Sequence, residues 1–242
     1  MAATEHTGGR PGTTAVRWEI SLLGGFTLRR RRAPVDLPLA AQRVVAFLAL
    51  QRRDVLRGHV AQVLWMDATE DHAAGNLRTA LWRIKQRGGE LVSARHCHLS
   101  IARDAVVDLH EAERLLTSRD PPRLSAHMTN ELANDVLPDW SDDWIYMCRG
   151  RFRQLRLRGL EALSRQLSAE GAHGDAIDAA EAAVAAEPLR ETAHRVLMEA
   201  HLAEGNVSEA VREYRTYRLL LADELGIAPS PGLGELVPER FR

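Results

Sequence analysis

Lysine is nearly absent from this chain. Lys85 is the single one among 242 residues, and it sits in RIKQR with no glycine before it. A P-loop needs GxxxxGK followed by Ser or Thr, a Schiff-base enzyme needs a lysine amine, and a kinase-type site needs a lysine on its phosphates. None of these has anywhere to sit. Cysteine is scarce as well: Cys97 and Cys148 stand far apart in no metal-ligand spacing, which fits a reducing cytoplasm and no disulfide scaffold. Aromatics make up only 5 %, and with Ala and Leu dominant the composition leans towards helices. No apolar run approaches the roughly 20 residues that cross a bilayer. The opening MAATEHTGGRPGTTA has no apolar h-region, so residues 1–17 read as a disordered tail and not a signal peptide. No Ser/His/Asp order, acid pair in a cleft context or cofactor loop stands out, so neither a catalytic residue nor a cofactor is expected.

What is present is an uneven distribution of charge. Residues 1–110 carry 16 Lys/Arg against 10 Asp/Glu, whereas residues 111–242 carry 16 against 23, within a formal net charge of −1. A basic front half points to a polyanion partner if its cations share one surface. The front half also mixes periodicities. Residues 18–28, WEISLLGGFTL, read as strand–turn–strand, and RRRRAPVDLPL as a cationic turn into a short extended piece. Residues 40–51 and 55–65 are apolar at helical spacing, and a third helix follows MDATED, with Thr69 or Asp71 as its cap. Gly88-Gly89 stops it. Residues 90–109 read as strand, tight polar turn, strand, short turn, strand.

The third helix, residues 71–87, carries the densest cation cluster. Leu77, Ala80, Leu81 and Ile84 fall in one sector of the helical wheel, an ordinary core stripe. The opposite side presents Gly75, Arg78, Thr79, Trp82, Arg83, Lys85 and Gln86. Three readings are open: a solvated face, a brace in which Trp82 packs on the following hairpin, or insertion into a DNA major groove. In the last, Arg and Lys meet guanine acceptors or phosphates, and Thr79 or Trp82 meets a thymine methyl. The element order strands, three helices, hairpin is that of a winged helix, whose third helix enters the groove. The hairpin tip then brings Arg95, His96 and His98 to the adjacent backbone or minor groove, and Gln42 and Arg43 at the start of the first helix suit phosphate contacts. A metal site at His96-Cys97-His98 is not expected, because neighbours in a strand alternate faces.

Beyond Asp108, expected to cap the next helix, no strand pattern appears. RDPPRLS (119–125) reads as a linker, and LPDWSDDW leads into a long helix over residues 143–169. Leu163 recurs as Leu197, Glu170-Gly171 as Glu204-Gly205, and Ala176 as Ala210, all 34 residues apart. Helix–Gly turn–helix at that period is the tetratricopeptide (TPR) signature, although the usual aromatic is Tyr214 in one unit and Ala180 in the other. Asp139, Asp142 and Asp143 lack the Gly and bidentate Glu of a calcium loop, so they read as a helix start, with Ser141 or Asp142 as cap and two Trp residues wedged between helices. His194 and His201 share a face with no metal-binding partner and read as groove-lining or solvated.

These stretches resemble known domains. LLGGFTL, LPLAAQRVVAFLAL, VAQVLWMD and NLRTALWRIK look like an OmpR-type winged helix. LPDWSDDW, RQLRLRGLEALSRQL, AVAAEPLRETAHRVLMEAHLAEGNVSEAVREYRTYR and ELGIAPSPGL resemble the bacterial transcriptional activation domain. Together, over about residues 18–236, they resemble the small form of the Streptomyces antibiotic regulatory protein (SARP) family.

The resemblance implies an α+β winged-helix domain at residues 18–109, an all-α TPR-like domain at 110–236 and a tail at 237–242. It also implies a cytoplasmic, nucleoid-associated transcriptional activator of a secondary-metabolite cluster. Such a protein binds direct repeats in double-stranded DNA as two protomers and recruits RNA polymerase holoenzyme. Thr79, Arg83 and Lys85 match the family's base- and phosphate-reading positions; Arg78, Trp82 and Gln86 join them from the wheel, with Asn76 on the same helix. The wing departs from the family's Gly-Tyr turn, having RHC-H instead. The acidic loop from Met66 to Asp71 is placed to face polymerase. Only a short tail precedes Trp18, so neither a receiver domain nor an ATPase module is expected in the chain. The rival is a TPR-type protein–protein adaptor without DNA binding.

Overall fold

The computed structural model describes residues 18–117 and 127–239, so the expected tail, the 119–125 linker and the last three residues lie outside the described residues. The chain divides into two compact units, Met1–Leu22 with Phe26–Asp108, and Leu23–Gly25 with Leu109–Arg242.

The first unit opens with strands β1 (Trp18–Ser21), β2 (Thr27–Arg30) and β3 (Ala33–Pro34). They form an antiparallel meander with Trp18 opposite Arg30 and Ile20 opposite Leu28. Alternation explains the register: Trp18, Ile20 and Leu28 face the core while Glu19, Thr27 and Arg29 do not. The Arg30 guanidinium lies 5.0 Å from the centroid of the buried Trp18 ring, a cation–π contact. Arg31 and Arg32, which make the β2–β3 turn, have φ of 48° and 70°. That conformation costs an L-residue about 1–2 kcal/mol and suits Asn-Gly in a two-residue hairpin. Replacing Arg31→Asn together with Arg32→Gly is therefore expected to raise stability by about 1 kcal/mol, read as a higher thermal midpoint. A lower midpoint would mean that the arginine side chains hold more than the strain costs.

Helix α1 (Leu39–Gln51) is central, with Val44 to Ala49 all buried. It is followed by β4 (Val55–Leu56), α2 (Arg57–Leu64), α3 (Glu70–Gly88), β5 (Val92–Arg95), β6 (His98–Ile101) and β7 (Ala105–Val107). The structure corrects the sequence here: residues 55 and 56, expected to begin a helix, are a strand. Val55 pairs with Leu99 and Leu56 with His98, and the Arg57 N–H extends the ladder to the Cys97 carbonyl at 2.7 Å. Partners forty residues away decide the conformation of a two-residue segment that has little preference of its own. The hairpin sheet thus has three strands in the order β4-β6-β5, while β7 joins the other sheet parallel to β1. Asp108 follows β7, and its carboxylate accepts the Leu22 N–H through both oxygens at 2.8 and 3.0 Å, satisfying the donor just past β1.

The second unit is helical: α4 (Asp108–Thr117), α5 (His127–Ala133), α6 (Asp143–Ala169), α7 (His173–Ala186), α8 (Glu191–Glu204), α9 (Val207–Leu225) and the short α10 (Pro231–Gly234). The 34-residue repeat is visible in the helix starts, α7 at His173 and α9 at Val207. Gly171 and Gly205, with φ of 81° and 89°, turn the chain between paired helices in a conformation that only glycine adopts without strain. Ala176 and Ala210 are fully buried where the helices cross.

Two side-chain networks tie the repeats together. Glu161 of α6 accepts hydrogen bonds at 2.6 Å from both Arg190 Nε and Thr192 Oγ1, at the start of α8. Burial alone raises the pKa of this carboxyl. The hydrogen bonds from Arg190 and Thr192, with the positive charges of Arg190 and Arg165, outweigh that and hold it below its ordinary value. His194, expected to line a groove or meet solvent, is instead only 2 % exposed. Its ring stacks on Tyr217 at 4.0 Å, with Nδ1 facing Glu213 Oε1 at 2.5 Å and Nε2 facing the Pro188 carbonyl at 2.7 Å. Those partners come from the turn before α8 and from α9, which the spacing of two histidines on one helix does not reveal.

At LPDWSDDW, Asp142 takes the N-cap position of α6 but makes no side-chain cap, and it accepts the Trp144 indole N–H at 3.2 Å instead. Trp140 and Trp144 meet edge to face at 6.3 Å, half-buried. Arg149 gathers the segment by donating to the carbonyls of Val136, Leu137 and Trp140. No group of three metal-ligating side chains occurs among the described residues. No helix among them is long and apolar enough to cross a membrane.

Candidate nucleic-acid interface

Helix α3 is amphipathic by its own sequence. Ala73, Leu77, Ala80, Ile84 and Gly88 are buried at helical spacing, and Glu70 with Asp71 in the first turn and Lys85 with Arg87 in the last complement the helix dipole. It begins at Glu70, with Thr69 as the N-cap residue. Leu81 is half-buried, at the edge of the core stripe. Asn76, Arg78, Thr79, Trp82, Arg83, Lys85 and Gln86 are all exposed on the remaining surface.

Trp82 is 53 % exposed and so is not packed beneath other parts of the chain, although its covered side shares a groove with the following hairpin. The Arg83 guanidinium lies 4.9 Å from the Trp82 ring centroid, a stack of a planar cation on an aromatic face at the surface. Thr79 Oγ1 donates to the Gly75 carbonyl one turn earlier at 3.1 Å. The hydroxyl proton is thereby held by the helix. Arg87 donates to the Asp36 carbonyl at 3.1 Å and so serves the fold.

The hairpin tip is a two-residue turn, His96-Cys97, between the paired Arg95 and His98. His96 has a positive φ of 54°. The tight polar turn expected here thus falls at His96 and Cys97, so the strand alternation argued against a metal does not run through all three residues, and the Cys97 thiol lies 3.5 Å from His98 Nδ1. Arg95 and His96 are exposed, and His98 is half-buried. Between α3 and this hairpin lies a groove of about 750 Å3 whose walls include Trp82 and Lys85 on one side and Arg95 on the other. Arg57, at the first position of α2, lines the same groove and was missed in the sequence because residues 55–65 read as one helix. Asp54, Glu90 and Asp104 also line it, so it is not uniformly cationic.

Gln42 and Arg43 sit half-buried near the start of α1. The Gln42 amide donates to the Leu37 carbonyl at 2.8 Å, which ties the helix to the preceding loop. The structure therefore brings together the α3 residues and Arg95, whereas Gln42 already has a structural bond. In the α2–α3 loop, Met66 is 69 % exposed and Asp67 is exposed beside it.

Residues 106–239 match the family model of the bacterial transcriptional activator domain. The chain belongs to that family. Its members are transcription regulators, and within the family this chain is of the SARP type. Regulatory protein AfsR of Streptomyces coelicolor is 30 % identical over 207 residues, and its counterpart in Streptomyces griseus 28 % over 205. Each alignment covers 80 % of this chain and 21 % of the relative, so the chain spans about a fifth of the length of these regulators. Among solved structures, Mycobacterium tuberculosis EmbR in complex with a low-affinity phosphopeptide has the same fold, at a TM-score of 0.70 and 20 % identity. That match covers 93 % of this chain and 65 % of EmbR. The family member described here combines a winged-helix unit with a helical-repeat unit.

Proposed function

We propose that this chain is a sequence-specific DNA-binding transcriptional activator that lays α3 in the major groove and the β5–β6 tip on the neighbouring backbone or minor groove. Two protomers bind direct repeats beside a promoter and recruit RNA polymerase, in the cytoplasm at the nucleoid, to switch on a secondary-metabolite cluster. The exposed face of α3 carries this reading. It joins Arg78, Arg83 and Lys85, cations that bond guanine edges or phosphates, to Thr79 and Trp82, whose apolar atoms meet a thymine methyl. Arg95 and His96 add donors at the hairpin tip. Membership of the activator family and its likeness to regulatory proteins support the same direction. Met66 and Asp67 in the α2–α3 loop, with the helical unit, are the surfaces proposed for polymerase.

Binding of the full chain to duplexes from its own genomic neighbourhood tests the proposal. Each phosphate neutralised adds about −0.9 to the slope of log K against log salt, so four cations per protomer give a slope near −4 per site. A protected direct repeat with such a slope is the expected result. If the chain ignores duplex DNA at low salt and binds only proteins, the adaptor reading replaces this one.

A further inference from the structure

Helices α7 and α9 occupy equivalent places in successive repeats, and their outward faces are opposite in charge. On α7, Asp175, Asp178, Glu181, Ala182 and Ala185 line a cleft of about 570 Å3 beside α5. On α9, a groove of about 550 Å3 is lined by Val207, Ser208, Val211, Arg212, Arg215, Thr216 and Leu219, all from that one helix. The 34-residue offset maps Asp178 onto Arg212, Glu181 onto Arg215, Ala182 onto Thr216 and Ala185 onto Leu219. Two acids become two arginines. A small side chain becomes a leucine that is 62 % exposed, with Val207 46 % exposed on the same helix. Asp178 and Glu181 are exposed and enter no ion pair among the described residues, and the helical half of the chain is acidic overall. A cationic, apolar strip on an acidic body is an attachment point for an acidic surface with small side chains. The face that answers to that description is the α7 face of the same chain.

We infer that these two faces bind each other between two copies of this chain, the α7 cleft of each protomer receiving the α9 strip of the other. Equivalent positions in adjacent repeats point to nearly the same side, apart from the small rotation per repeat. A two-fold axis along the helices, between α7 and α9, therefore lays α7 on α9 twice. It sets Asp178 level with Arg212 of the second copy, Glu181 with Arg215, and Leu219 over the space left by Ala182 and Ala185. Such a patch is self-complementary and closes at a dimer. One level is unfavourable: Asp175 maps onto Glu209. There the Glu209 carboxylate is already paired with Arg212 of its own helix at 2.8 Å. Exposed ion pairs are weak and screened by salt, so the association is salt-sensitive and of modest strength. A two-fold dimer relates its protomers differently from neighbours on direct repeats, which share one orientation along the duplex, so the assignment concerns the chain off DNA and does not rest on the proposed function.

Sedimentation velocity of the full chain without DNA is the test. The wild type is expected to pass from monomer to dimer with rising concentration at low salt, and to weaken about tenfold or more at high salt. R212E/R215E and D178R/E181R are each expected to remain monomeric with unchanged circular dichroism and melting midpoint. Their equimolar mixture is expected to dimerise again, as is the chain carrying all four changes. Leu219→Asp, which alters no arginine, is expected to abolish the dimer as well. A wild type monomeric at every concentration, or charge-reversed variants that fail to complement each other, overturns the assignment. Because DNA is left out, loss of DNA binding leaves this outcome untouched, and DNA binding by a strictly monomeric chain refutes the dimer surface alone.

Discussion

Arg83→Ala is expected to weaken binding to a cognate duplex by about 1–3 kcal/mol, roughly 5- to 150-fold, while leaving the melting midpoint of the protein in place. The two halves of that expectation have separate causes. Arg83 is exposed and its guanidinium rests against the exposed Trp82 ring, so no buried group loses a partner when it goes. Surface substitutions of this kind change stability by about 0.5 kcal/mol at most. Its planar fork can meet the two acceptors of a guanine edge, which an alanine cannot replace and a lysine replaces only as a point charge. The neighbouring Ile84 provides the contrast. It is 1 % exposed, and Ile84→Ala is expected to cost about 2–5 kcal/mol of stability through the cavity it leaves. Measured together by titration calorimetry and thermal melts, the two variants separate a binding residue from a packing residue one position apart. Equal affinity of Arg83→Ala and wild type for the protected repeat would remove Arg83 from the interface.

Glu161→Ala is expected to destabilise the helical unit by about 3 kcal/mol, because it strands a cation in a largely buried pair. Arg190 loses both carboxylate oxygens, Thr192 loses its acceptor, and the joint between α6 and α8 loosens. Acid acts on the same joint. The folded carboxyl titrates below its unfolded value, so the stability it adds is complete above the ordinary carboxylate range and is lost as pH falls through the folded pKa. Chemical denaturation followed from neutral pH into the acid range is expected to show wild-type stability falling below about pH 4.5. Glu161→Ala should show a shallower fall. Parallel curves for the two proteins would place the acid sensitivity elsewhere.

Much of the architecture is readable from period alone. The α3 stripe of Ala73, Leu77, Ala80 and Ile84 repeats at helical spacing over about three turns, long enough that no competing arrangement buries the same residues. The second unit declares itself through Glu-Gly pairs 34 residues apart, because each repeat needs the same positive-φ turn. What escaped was decided by distant partners. Val55 and Leu56 are a strand only because β6 lies beside them, and with that strand hidden, Arg57 looked like an interior helix residue instead of the first residue of α2. Asp108 has the right type and place to begin a helix, but its carboxylate also holds the Leu22 N–H across 86 residues. His194 could not be placed for the same reason, since Glu213 and the Pro188 carbonyl close around it from other elements. In the candidate site the cations of α3 were legible because an amphipathic helix separates its two faces by sequence position. The hairpin turn was legible as a polar break between two strands, although a His-Cys turn carries none of the usual glycine or asparagine marks.

The claim on which the account turns is that the outward side of α3 touches bases. A photo-crosslinking amino acid introduced at Thr79 in the full chain, irradiated on a duplex bearing the protected repeat, tests it directly. The account predicts an adduct on a base of each repeat, suppressed by competing duplex and by raised salt. Intact binding to the repeat with no adduct from position 79, and adducts only from a reporter placed on α9, would contradict it.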